Sequence, residues 1–437
     1  LLGVILVENY KDKIFKDKSK VSKQVSMFRD FFLKMWWDGS KEFPVLTKQS
    51  DYWDKRNKEK QTDKFINEFV MNLELFPEDQ ANRIIWKRNI KSVIDNFVEQ
   101  SDLITMREKE ILLSDELIES TEKFINEAKE FNSNISFEEL SQALRNLWII
   151  NIIQMLLSKA PKFTAAIFSY SMLYPYTDNF LDSADISKTD KLKINENFTL
   201  KLSGKKVIAN NKYEESLFKL VDKIEGEYNR KEYPNVFDSL LCIHGAQIKS
   251  LTQQKKEIGP YESDILGISF EKGGTSVLAD AYIVNGELGE EEARFFFGYG
   301  VLLQLCDDLQ DIQEDLKNGS MTIFSILANK WTLDNVTNNL INFTVNLLDN
   351  MPMSDNDNIY VLKDLIKKNC IQLILFAIAK NKKLYSRAYF KRMEQYFPYR
   401  TRYMNNQFKS LKRKYSHIKE SYNGVDTAEI IMYALKS

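Results

Sequence analysis

Helix breakers are scarce in this chain. Its 437 residues include only 15 glycines and 8 prolines, about half of the ~12 % that the two contribute to an average chain. A loop-rich β architecture needs many tight turns, so the scarcity points to an all-α fold of long helices. Hydrophobic periodicity agrees. Helical patterns are expected at Val25 to Trp37, Asp63 to Leu75, Ala81 to Glu99 and Asp102 to Lys129, and most of the chain beyond Phe137 repeats the pattern. A boundary is expected near residue 132, where the composition turns to Asn132-Ser133-Asn134 and Ser136 and Glu139 stand at capping-box spacing. That gives a helical N-terminal extension over 1–132 and a main domain over 133–437. One exception is expected between Asn195 and Asn211, where Phe198 to Leu202 and Lys206 to Ala209 alternate around Ser203-Gly204, like a small hairpin or lid. Asn350 to Asp357 reads as a loop.

Composition narrows the chemistry. Lys and Arg number 61 against 62 Asp and Glu, so no global charge draws the chain to nucleic acid. Two histidines, His244 and His417, are too few for a three-His metal site, and three cysteines at unrelated spacings make no disulfide framework. A reduced, cytoplasmic setting fits that usage. No apolar run reaches the ~20 residues of a membrane span, and the opening Leu1 to Val7 lacks the basic flank of a signal peptide. Phosphate loop, Gly-x-Ser-x-Gly elbow and Cys-x-x-Cys are absent. Gly298 and Gly300 lie inside a helical pattern and read as packing glycines, and His244 reads as a core histidine.

Two acidic clusters stand out because apolar helices carry them. The first, Asp178-Asn179-Phe180-Leu181-Asp182, follows Phe168 to Tyr176; the second, Asp307-Asp308-Leu309-Gln310-Asp311-Ile312-Gln313-Glu314-Asp315, follows Phe295 to Leu303. Carboxylates four apart share a helix face and repel. Gln304, Asp307 or Asp308, Asp311 and Asp315 form a stripe of oxygen donors suited to a hard divalent ion such as Mg²⁺, which takes one or two carboxylates per helix and its other ligands from water and phosphate. The alternative is a pair of solvated helix faces.

With these motifs the chain resembles the class I isoprenoid synthases: trans-prenyltransferases, squalene and phytoene synthases, and class I terpene synthases. Asp178 and Asp311 lie 133 residues apart, similar to the family's separation. The first motif is similar to the Asp-Asn-x-x-Asp element of bacterial large terpene synthases. The second reads in two frames, one from Gln304 to Asp311 as in chain-elongating synthases, one from Asp311 to Asp315 as in squalene and phytoene synthases. The resemblance covers about residues 140 to 325. It implies a large antiparallel helical bundle around a central cavity, with Asp178, Asp182, Asp307, Asp308, Asp311 and Asp315 holding three Mg²⁺ ions and the diphosphate of an allylic prenyl substrate. It departs from the family twice: no Arg pair follows the first motif, and the second lacks the Asn-Ser-Glu triad usual in cyclases.

What the resemblance implies is ionisation of a prenyl diphosphate followed by cyclisation or quenching of the cation. Head-to-head transfer of the squalene or phytoene synthase type and an inactive helical scaffold are the alternatives. Diphosphate needs cations beside the metal, and the candidates are Arg145, Lys272, and Arg400 or Arg402 in a stretch where Lys380 to Lys414 holds twelve basic residues against Glu394 alone. Gln304 would assist. The adjacent Gly273 and Gly274 suggest a helix break or a close approach of backbone to ligand, and Phe168, Tyr174 and Phe297 are the first rings to consider around a cation. The reading leaves room for a homodimer and for peripheral membrane contact.

Overall fold

The computed structural model of the chain describes residues 19–46, 49–101, 103–182, 187–254, 264–328, 330–352, 356–406, 421–423 and 425–436; at 178, 179, 181, 182, 188 and 421 it describes the backbone alone. Nearly all of what is described is helical, and the two strands, Ser421–Tyr422 and Val425–Asp426, are two residues each. No helix among the described residues is long and apolar enough to cross a membrane.

Two compact units result, and their division differs from a cut at residue 132. Unit 1 comprises 1–42, 123–331 and 335–355; unit 2 comprises 43–122, 332–334 and 356–437. The first described helix, α1 (Lys20–Asp38), buries Val21, Val25, Phe28, Phe32 and Trp36 on one stripe inside unit 1. Besides the end of the helix Asp115–Phe131 and the short helix Ile323–Ala328, unit 1 includes α2 (Phe137–Leu156), α3 (Ala165–Asp182), α4 (Lys188–Leu202), α5 (Lys212–Glu227), α6 (Pro234–Ser250), α7 (Ile265–Asn285), α8 (Glu290–Gln310), the short α9 (Ile312–Asn318) and α10 (Asp334–Asp349).

α7 is the axis of unit 1, packing on α1, α2, α3, α6 and α8. It is buried and mostly apolar along its length, as a helix surrounded by helices tends to be, with Glu271, Lys272 and Asp280 as its charged residues. Its crossing with α8 explains the glycines. A Cβ on Gly273 would lie 2.5 Å from the Gly300 carbonyl oxygen, and one on Gly300 would lie 2.1 Å from that of Gly273. The two backbones touch there, and α7 continues through the pair without a break. Gly273 and Gly274 therefore serve helix packing, which corrects the expected break or ligand approach. Phe297 fills the space over Gly274 and packs on Phe28 and Phe32; it belongs to the core, not to a pocket. Phe168 is likewise enclosed by Phe124, Phe131 and Phe163. Gly298 packs against Phe32 and Leu347, as a packing glycine should.

The expected hairpin is not formed. Phe198 to Leu202 is the last turn of α4, where Phe198 and Leu202, four apart, are both buried. Over five residues, i and i+4 apolar positions with one between them look the same as strand alternation. The capping box at Ser136 and Glu139 forms and starts α2.

Unit 2 has its own core of Leu73, Phe76, Trp86, Ile90, Tyr422, Ile430 and Ala434. Helices Tyr52–Glu74, Gln80–Gln100 and Thr427–Leu435 supply it. Residues 43–122 thus fold with the C-terminal segment rather than as an extension by themselves.

Candidate active site

The second acidic cluster sits where α8 passes into α9. Asp311 ends the first helix and begins the second, and the N–H of Asp311 to the Asp307 carbonyl (3.0 Å) and of Asp315 to the Asp311 carbonyl (2.9 Å) carry the four-residue spacing through the junction. The four carboxylates divide by exposure: Asp308 is buried, Asp315 half-buried, Asp307 and Asp311 exposed. Gln304 donates its amide to Asp308 Oδ1 at 2.8 Å, and the Thr322 hydroxyl reaches Asp315 Oδ2 at 3.4 Å.

Burial, then the neighbouring Asp307 and Asp315, push the Asp308 carboxyl up to about 7, while Gln304 and Ser269 pull the other way. Asp315 is also pushed up to about 7, by burial first and then by Asp311, with Thr322 opposing. These groups feel one another as like charges, a cost that a cation would remove. Among the described residues, no three His, Cys, Asp or Glu side chains close into a metal-holding group.

The first cluster occupies the last turn of α3. The side chains of Asp178 and Asp182 lie outside the described residues, but the turn around them is anchored on two sides. Phe180 stacks on Tyr213 of α5 at 4.6 Å, whose hydroxyl donates to the Tyr176 carbonyl; Gln247 of α6 donates to the Thr177 hydroxyl at 3.3 Å.

α6 also links the two clusters. Gln253, in the 3₁₀ turn that continues it, donates to the Ser269 hydroxyl at 3.2 Å, and Ser269 is the residue beside Asp308. Gln247 and Gln253 are six residues apart, about 10 Å along such a helix. Both acidic clusters therefore border the same end of α6.

The basic candidates fare unevenly. Arg145 is exposed on α2, whereas its neighbour Asn146 points inward. Lys272 is half-buried on α7, next to Glu271, which receives Lys249 and Arg29. Arg400 belongs to unit 2 and is already neutralised: its Nε and Nη2 grip the buried Glu59 at 2.9 and 2.6 Å. That corrects its assignment to diphosphate. Arg402, in the same unit, is exposed.

A cleft between α3, α4 and α6 is lined by Tyr174 together with Tyr170, Phe198, Leu240, His244 and Gln247. It is about 30 Å³ where enclosed, within about 350 Å³ that opens to solvent. Beside it lies a buried polar cluster that the sequence reading missed. Asn146 donates to Ser171 Oγ (3.3 Å) and to Asp280 Oδ1 (3.0 Å), and the Tyr170 hydroxyl donates to the Ser276 carbonyl (3.0 Å). Asp280 is fully buried, which holds its carboxyl well above the usual range. Its signal was present in Leu278-Ala279-Asp280-Ala281-Tyr282, a single carboxylate in an apolar helix.

Comparison with protein-family models, with curated proteins and with solved structures found no match.

Proposed function

We propose that unit 1 is a Mg²⁺-dependent class I terpene synthase that ionises an allylic prenyl diphosphate and cyclises or quenches the resulting carbocation. The observation that carries this reading is the placement of both acidic clusters at one end of α6, with Asp308 and Asp315 held as carboxyls near pKa 7 by burial and by their acidic neighbours. A donor set of that kind fits a hard divalent ion, because oxygen ligands that repel one another gain most from a cation. Asp307, Asp308, Asp311 and Asp315, together with Asp178 and Asp182, would hold it. When bound, Mg²⁺ supplies charge neutralisation of the diphosphate leaving group.

The chain's own residues have separate tasks in this reading. Gln304 fixes the rotamer of Asp308, and Thr322 that of Asp315. Gln247 and Tyr213 hold the backbone of the last turn of α3, which carries residues 178 to 182. Tyr170, Tyr174 and Phe198 line an apolar cleft that begins one turn before Asp178, where each well-placed ring face stabilises a carbocation by ~0.5–2 kcal/mol. Lys272 and Arg145 are the unit 1 cations that this reading assigns to the departing diphosphate.

Mass-spectrometric product analysis with prenyl diphosphates of two to five isoprene units, in Mg²⁺, tests the reading. The expected product is a hydrocarbon or alcohol with the substrate's own carbon number, one inorganic diphosphate being released per turnover. A doubled carbon skeleton would instead establish head-to-head transfer. Failure to consume any member of the panel would leave an inactive scaffold as the better account.

A further inference from the structure

His244, on α6, lines the cleft and is buried. Its ring stands edge-on to Phe198 at 4.9 Å. Nε2 lies 3.3 Å from the Asn195 carbonyl oxygen and 3.0 Å from Thr199 Oγ1. A carbonyl can only accept, and the Thr199 hydroxyl already donates to that same carbonyl at 2.8 Å. Nε2 must therefore carry the proton, and Nδ1 carries the lone pair. Nδ1 is buried with no hydrogen-bond partner among the described residues. His244 thus belongs to a wall otherwise built mainly of apolar and aromatic groups, with Nδ1 itself shielded from solvent.

We propose that His244 is the base that ends the reaction, its Nδ1 taking a proton from the carbon adjacent to the cationic centre. The C–H bond breaks, its electron pair becomes the new C=C bond into the vacant orbital, and the proton forms Nδ1–H. The imidazolium returns that proton to solvent when the hydrocarbon leaves. This inference rests on the terpene synthase reading above and adds to it the product class, an olefin.

The surroundings suit the task. Burial lowers the imidazole pKa to about 4, the Asn195 carbonyl opposing, so at neutral pH the ring is uncharged and does not repel the cation. Weak basicity is no handicap, because a carbocation is a far stronger acid than an imidazolium. Thr199 and Asn195 act as positioning residues that fix the tautomer.

The test is the ratio of olefin to alcohol in the product, normalised to diphosphate released, for wild type, His244→Gln and His244→Phe. We expect the ratio to fall at least about tenfold in both variants as water captures the cation that is no longer deprotonated. Thr199→Val keeps the imidazole and removes one acceptor for Nε2–H; it should lower the ratio in the same direction by a smaller factor, which keeps the proposal testable should the His244 variants fail to fold. An unchanged ratio in a folded His244 variant, or a wild type that makes alcohols only, would overturn the proposal and leave the terpene synthase reading standing. A wild type that releases no diphosphate would overturn both.

Discussion

The two units treat buried charge in opposite ways. In unit 2 the buried ions are partnered: Glu59 by Arg400, Glu108 by Lys368, and Lys55 by the Glu394 carbonyl. In unit 1 Asp280 has a single amide on one oxygen, Asp308 and Asp315 are crowded by other carboxylates, and His244 keeps an unpartnered nitrogen. Glu214 shows that unit 1 can satisfy a buried acid, since Asn197 and Asn210 both donate to it. An unneutralised buried acid costs stability. In unit 1 these groups gather around one end of α6 and the adjoining cleft, where the proposed site lies.

That contrast predicts opposite outcomes for similar substitutions. Asp311→Ala should lower Mg²⁺-dependent diphosphate release about a hundredfold or more while leaving the melting temperature unchanged, because Asp311 is exposed; a pyrophosphate-coupled assay beside a thermal melt reads both. Arg400→Ala should do the reverse, leaving diphosphate release intact while Glu59 stays buried without its cation, which lowers the melting temperature by about 5 °C. If Arg400→Ala removed activity at full stability, the division of labour between the units would be wrong.

Smaller effects sharpen the contrast. Gly300→Ala places a methyl against the Gly273 carbonyl and should destabilise unit 1 by about 1–3 kcal/mol, measured by urea unfolding. Asp280→Asn keeps the acceptor for Asn146 and removes the titration. Because burial raises the folded pKa of Asp280, the folded state holds a proton that the unfolded chain gives up above the ordinary carboxylate range, so the wild type loses stability as pH rises through that window. The variant should therefore gain stability at pH 8 relative to pH 5, by about a few degrees in melting temperature. A gain equal at both pH values would show that Asp280 is ionised when folded.

Much of this was legible in the sequence, for definable reasons. Helix content follows from scarce breakers and regular apolar spacing, and the Ser136 and Glu139 pair marked a helix start to the residue because a capping box is a local device. The second acidic cluster was legible because Gln304, Asp308, Asp311 and Asp315 keep helical spacing. What could not be read was anything that depends on distant partners. Arg400 looked like a diphosphate ligand because Glu59, 341 positions away, cannot be seen from its surroundings. Gly273 looked like a ligand contact because a glycine that admits another helix and one that admits a substrate have the same local sequence. Phe168 and Phe297 precede acidic motifs by a few turns, yet one helical step decides whether a ring faces core or cleft, and Tyr174 alone of the three lines the cleft. His244 was legible as buried, but its free nitrogen depends on Asn195 and Thr199 from another helix.

The central claim is that the carboxylates at the α8–α9 junction form a cation site. Thermal melting of the wild type and of the Asp308→Asn, Asp315→Asn double variant at pH 8, with and without Mg²⁺ plus inorganic diphosphate, tests it most directly. Ligands that bind the folded state raise its melting temperature, so the wild type should gain several degrees (about 3 °C or more) and the double variant should gain none. No gain in the wild type, or an equal gain in both proteins, would contradict the account.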